Sequence, residues 1–274
     1  MVGKMYPRIA LGKFLIRLGR FVSSLALMVM RPNDLVELSR RTYATPKAVK
    51  DFASDKVLTK GLTPAEKTVL EKINLKQGRV LVLGVGGGRD AIALAKKGFA
   101  VTGIDYIPAM IEMTREKAAK HGVEIEARVG DFANLDIPGG TFDVVWLAWS
   151  MYSSIPTRRK RLETLKRIHE TLKLEGWFVC GFHWVPIPGF SPQVDRIRKI
   201  FAYLSMGNLW YEPGDMLMGE MEFLHGFRDE DELAAEFAEG GFELIHLHIP
   251  QGQDGQGLAL LYKGSAKTTN DMGT

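Results

Sequence analysis

Residues 80–90 read Val-Leu-Val-Leu-Gly-Val-Gly-Gly-Gly-Arg-Asp, and this stretch limits the fold more than any other. Four apolar, mostly branched residues specify a short buried strand. Gly84, Gly86 and Gly88 then demand a tight turn, and an alanine-rich helix follows over residues 90–97. Alternate glycines adopt backbone angles that a Cβ forbids, and they let a ligand approach the main chain closely. Unpaired N–H groups at the start of the helix favour a polar or anionic ligand. The dinucleotide fingerprint Gly-x-Gly-x-x-Gly needs a glycine where Arg89 stands, so the spacing here is Gly-x-Gly-x-Gly.

From residue 80 onward, strand and helix patterns alternate, the mark of a parallel sheet covered on both faces. Helix 90–97 stops at Gly98, strand 100–104 ends on Asp105, and helix 108–121 closes at Gly122. Strand 124–129 runs into Gly130-Asp131, and strand 142–147, helix 157–172 and strand 176–182 follow. Residues 183–228, rich in aromatic residues and methionine, break the rhythm. They read either as a cap over an apolar acceptor pocket or as ordinary helical core. Helix 229–238 and strand 242–249 restore the pattern, and strand 257–262 returns antiparallel by hairpin logic. The expected class is α/β: a Rossmann-like, doubly wound, mostly parallel seven-stranded sheet with an antiparallel last strand. It occupies residues 76–264, carries the insertion 183–228, follows a helical extension or lid at 1–75, and ends in a disordered tail at 265–274.

These linked motifs resemble those of the class I S-adenosylmethionine (SAM) dependent methyltransferases over roughly residues 80–262. The resemblance implies SAM as cofactor. Gly84, Gly86 and Gly88 would receive its amino-acid part. Asp105, with Tyr106 beside it, would hold the ribose hydroxyls, and a carboxylate does accept from two vicinal hydroxyls at once. Asp131 would accept from the adenine amino group, with Phe132 adjacent, and the end of the fourth strand, from Ala148 to Ser150, would face the methyl donor. Tyr43 is placed to close over the cofactor. Taken singly, Asp105 also fits a strand-end turn and Asp131 a helix cap; their joint order supports the cofactor reading. One departure stands out: Val82 occupies the position where the family often has an acid near the cofactor's ammonium.

Methyl transfer from a sulfonium is an in-line displacement, so the protein must align donor and acceptor and exclude water. A phenol or acid acceptor needs a base, whereas an amine need only be deprotonated. His183, just past the fifth strand, is the favoured base and His225 the second; either also fits a satisfied structural histidine. Tyr152 lines the pocket or belongs to the core. The sequence has no zinc-like Cys/His spacing and no P-loop, so no metal is expected. Cys180, the single cysteine, reads as a buried strand residue and permits no internal disulfide.

The net charge of +4 conceals an asymmetry. Residues 1–60 hold 12 Lys and Arg against 4 Asp and Glu, and the other 214 hold 24 against 28. Wound as a helix, residues 9–30 place Leu11, Phe14, Leu15, Leu18, Phe21, Val22, Leu25 and Val29 on one face, with Lys13, Arg17 and Arg20 opposite. The three basic residues argue against a transmembrane span. The helix either lies in the plane of a membrane or packs its apolar face on this domain or on a second subunit, which would make a homodimer. The run Arg158-Arg159-Lys160-Arg161 lacks interleaved aromatics and reads as a solvated face, so no nucleic acid is expected. The combined reading is a cytoplasmic SAM-dependent methyltransferase acting on an oxygen or nitrogen of a small, apolar acceptor, with peripheral membrane contact at the inner face through residues 9–30. A catalytically silent SAM-fold partner protein and an aminopropyltransferase are the alternatives.

Overall fold

A computed structural model describes residues 7–52, 54–132, 137–147, 149–185, 192–219, 222–251 and 255–264. The polar tail 265–274, expected to be disordered, lies outside the described residues. Five helices precede the first strand: α1 (Pro7–Val29), α2 (Pro32–Tyr43), α3 (Pro46–Phe52), α4 (Asp55–Lys60) and α5 (Pro64–Ile73). A reciprocal capping box starts α5. The backbone N–H of Thr63 donates to the Glu66 carboxylate at 2.6 Å, and the Glu66 N–H donates to Thr63 Oγ1 at 3.3 Å.

The sheet then begins with β1 (Arg79–Leu83), α6 (Arg89–Ala95), β2 (Ala100–Asp105), α7 (Pro108–Lys120), β3 (Ile125–Val129) and β4 (Phe142–Leu147). Next come α8 (Arg158–Thr171) and the long β5 (Leu172–Trp184). Strands run in the order β3-β2-β1-β4-β5, all parallel. Alternation along the strands splits the core in two. Leu81, Leu83, Val145, Leu147, Phe178 and Cys180 face one way with the apolar side of α8, while Val80, Val82, Val144, Trp146 and Val179 face the other with α5 and α6.

The insertion supplies α9 (Pro192–Leu204) and a hairpin of β6 (Asp215–Met218) and β7 (Glu222–Phe227). After it come α10 (Glu230–Glu239), β8 (Glu243–His248) and β9 (Gly255–Tyr262). One edge of β5 is taken along Trp177–Trp184 by antiparallel β9, which in turn pairs with β8. The other edge is shared. β4 occupies it as far as Cys180, and β7 takes over at His183 and Trp184. The seven expected strands are therefore present, and the insertion adds two that stand past the carboxyl end of β4.

Three expectations need correction. His183 lies inside β5, flanked by both β7 and β9, because the hairpin extends the sheet beyond where an apolar run alone would end it. The basic run at 158–161 is a solvated face only in part: Arg159 is exposed, but Arg161 is not. Arg161 is 2 % exposed and donates from Nε to Glu236 at 2.7 Å, with Nη2 also reaching Glu212 at 3.0 Å. Its partners are distant in sequence, which is why local pattern hides the pair. Lastly, of the alternatives for the apolar stripe of α1, packing on this domain does not hold for most of it. The residues of that helix that do pack there are Ser24, Leu27 and Met28, which join α9 and β6, while Phe14, Leu15 and Leu18 stay exposed.

Candidate active site

The turn after β1 and the end of β2 form one unit. Gly84, Gly86 and Gly88 all have positive φ, at +69°, +53° and +91°. The N–H of Gly86 donates to Asp105 Oδ2 at 2.9 Å, and the N–H of Ile107 donates to Asp105 Oδ1 at 2.9 Å. Each carboxylate oxygen keeps a second lone pair for a ligand hydroxyl. Burial raises the Asp105 pKa, and these two N–H bonds work against the rise. A Cβ on Gly86 would meet no atom within 4 Å, so the space beside this turn is open to a ligand. The residues present therefore fit SAM: an open glycine cradle beside a carboxylate that is held in place by main-chain donors.

Behind the turn lies a buried charge cluster. Arg89 donates to Glu66 at 2.6 Å and to Asp90 at 2.5 Å, and its guanidinium lies 4.9 Å from the Trp149 ring centroid. Burial raises the Asp90 pKa, with Arg89 opposing. Both acids are engaged inside the protein, so neither simply replaces the carboxylate that Val82 does not provide.

At the carboxyl ends of β2, β3 and β4, where ligands bind in open α/β sheets, lies a cavity of about 610 Å³. Its walls include Tyr106, Asp131 and Phe132 on the strand side, Arg40 and Tyr43 on α2, Lys160 on α8, and Glu222 on β7. Met151 links it to the glycine turn, since its side chain sits about 3.0 Å from where a Cβ of Gly84 would stand. A larger hollow of about 820 Å³ lies at the amino ends of β1–β3 beside Arg79, Ala100 and Ile125, away from this chemistry.

Tyr43 and Glu222 bridge the cavity: the Tyr43 hydroxyl donates to Glu222 Oε2 at 2.5 Å. Burial, and next the Glu222 carboxylate, raise the Tyr43 pKa. Burial also raises Glu222, with the tyrosine bond opposing. Thus Tyr43, Tyr106, Asp131 and Phe132 come together around one space. Ala148 lies outside the described residues.

His183, Tyr152 and His225 do not line the cavity. The His183 residue is 7 % exposed, and its N–H donates to Ser153 Oγ at 2.8 Å. Tyr152 is fully buried, stacks on Phe227 and donates to Glu236 at 2.5 Å; burial drives its pKa well above the ordinary value. His225 Nδ1 lies 2.8 Å from Asp215 Oδ1. With Glu212 these two gather three metal-type ligands within 4.8 Å, but Arg161 already occupies Glu212 at 3.0 Å. Sequence reading missed Glu222, Arg40 and Met151, which carry no motif; Lys160 was visible only as part of a charge run.

The fold and this site are similar to those of class I SAM-dependent methyltransferases. This chain matches the family model described as a methyltransferase domain over residues 80–176. It is 35 % identical over 123 residues to a phosphatidylethanolamine N-methyltransferase of Cereibacter sphaeroides, covering 44 % of this chain and 58 % of the relative. A human EEF1A lysine methyltransferase 2 is 35 % identical over 117 residues, covering 38 % of this chain and 48 % of that one. The chain thus spans about half the length of these curated relatives. In fold it matches the crystal structure of a SAM-dependent methyltransferase from Methanosarcina mazei, with a TM-score of 0.57 at 21 % identity, over 75 % of this chain and 99 % of the other.

Proposed function

We propose that this chain transfers a methyl group from SAM to an oxygen or nitrogen of a small, apolar acceptor met at a membrane surface. One observation carries the membrane part: the stripe Leu11, Phe14, Leu15 and Leu18 of α1 is 44–58 % exposed. At about 100° per residue it points away from Ser24 and Leu27, which fasten the helix to the domain. Lys13 and Arg17 fall on the opposite side, from which long stems reach anionic headgroups. No helix among the described residues is long and apolar enough to cross a membrane, so the contact is peripheral, and an anionic inner leaflet suits it. The name of the Cereibacter relative points to a lipid amine, and that of the human relative to a lysine amine, which favours nitrogen.

SAM, when bound, supplies a methyl already activated on its sulfonium. The chain's own residues then hold and seal. Asp105 and the glycine turn fix the cofactor, while α2 and the inserted hairpin act as lid and cap, joined through Tyr43 and Glu222 so that water is excluded. The test is to incubate the full chain and labelled SAM with a host cell extract and to separate lipids, proteins, nucleic acids and small molecules. Label should enter the lipid fraction and be lost in a Phe14→Glu, Leu18→Glu variant that still binds SAM. Label confined to other fractions, or an unaffected variant, would overturn the membrane reading.

A further inference from the structure

The insertion carries a second apolar surface that the amphipathic pattern of residues 9–30 does not include. On α9, Ile197, Ile200 and Leu204 are 53 %, 60 % and 73 % exposed. Their spacing of three and four places them on one stripe. The turn after the helix continues it with Met206, Leu209 and Trp210, at 74 %, 59 % and 57 % exposed. Isolated apolar residues on a surface mean little, but a contiguous set ending in an exposed tryptophan marks a contact surface. The opposite side of α9, with Arg198 and Ala202, is buried against the domain.

This surface is locked to α1. The N–H of Asn208 donates to the Met28 carbonyl at 2.7 Å, and the Arg31 side chain donates to the Met206 carbonyl at 3.1 Å. Gly207 is needed at the joint, because a Cβ there would stand 1.9 Å from the Met28 oxygen. The end of α1 and the turn after α9 therefore form one unit.

We propose that α9 and residues 206–210 form, together with α1, a two-part platform that seats on an anionic lipid bilayer. This rests on the membrane reading of α1 above and deepens it: two joined elements fix how the cavity faces the bilayer, where a single helix would only tether it. Charge favours lipid over a second protein copy. Exposed Arg196 and Lys199 stand on the polar side of α9, as Lys13 and Arg17 do on that of α1. An apolar stripe with basic residues on the polar face, and a Trp at the edge, is the composition of interfacial helices.

Trp210 is a built-in reporter. The full chain is mixed with vesicles of equal parts phosphatidylcholine and phosphatidylglycerol, and then with vesicles of phosphatidylcholine alone. On the anionic vesicles tryptophan emission should shift to the blue and be quenched by lipid brominated in its acyl chains; Trp210→Phe should remove most of both effects. Ile200→Glu with Leu204→Glu, at exposed positions, should weaken vesicle binding about tenfold or more. Wild-type binding with an unmoved Trp210 signal and an unaffected α9 variant would overturn the platform while leaving α1 as a lone membrane helix. Failure of the wild type to bind either vesicle would overturn both readings. A dimer that the α9 variant splits, with vesicle binding unchanged, would assign the surface to a second copy and overturn the proposal.

Discussion

On the strand side the candidate site consists of the glycine cradle beside the cavity, where the Gly86 N–H donates to Asp105 at 2.9 Å. On its helix and hairpin side it is bordered by long side chains that hold one another: Tyr43 to Glu222, and Lys160 to Asn33 at 2.7 Å. The first wall is set by the turn after β1 and the adjoining end of β2, the second by α2, α8 and β7 meeting from distant parts of the chain. Cofactor chemistry is common to the fold and can rest on local backbone. Acceptor choice must vary, and side chains on three separate elements can change without disturbing the turn.

The largest expected effect is on the hairpin side, where buried charge ties α8 to α10 and to Glu212 of the insertion. Arg161→Met would take the nearest guanidinium from Glu236, 2 % exposed, and from Glu212, leaving Glu236 only Arg158 at 3.5 Å. The expected cost is about 3–5 kcal/mol of stability by urea denaturation. Arg159→Ala, at an exposed i,i+4 pair with Glu163, should cost under about 0.5 kcal/mol. Equal effects of the two would mean that the buried Arg161 cluster is not an anchor of this side.

On the strand side the matching effect is smaller and depends on pH. Asp105 must be ionised to accept two hydroxyls fully, and burial raises its pKa. On acidification, SAM affinity should therefore begin to fall at a higher pH than it would for a solvent-exposed aspartate, approaching about tenfold per pH unit below the raised pKa. Titration calorimetry across that range checks it. Affinity that is flat down to the ordinary aspartate range would remove Asp105 from the ribose position.

The same contrast decides what was legible in the sequence. Residues 80–90, the glycines that close helices, and Asp105 and Asp131 at strand ends are local signals, and they gave the sheet and the cofactor side. Glu222 has no pattern around it; it enters the site only because β7 docks on β5 past the end of β4. Arg161 reads as one of four surface charges until Glu236, 75 residues away, is brought to it. The stripe of α1 was visible from its period, but whether it was covered depended on the rest of the fold. His183 shows the converse. A histidine near a strand end suggested a base, and the hairpin buried it between two strands.

The central claim is that the glycine turn and Asp105 hold SAM, and calorimetric titration of SAM into the wild type and Asp105→Ala tests it most directly. The variant should melt at a temperature close to that of the wild type and bind SAM about two orders of magnitude more weakly, the loss of two hydroxyl bonds to a charged group. Unchanged affinity in a folded variant would contradict the assignment and move the cofactor elsewhere.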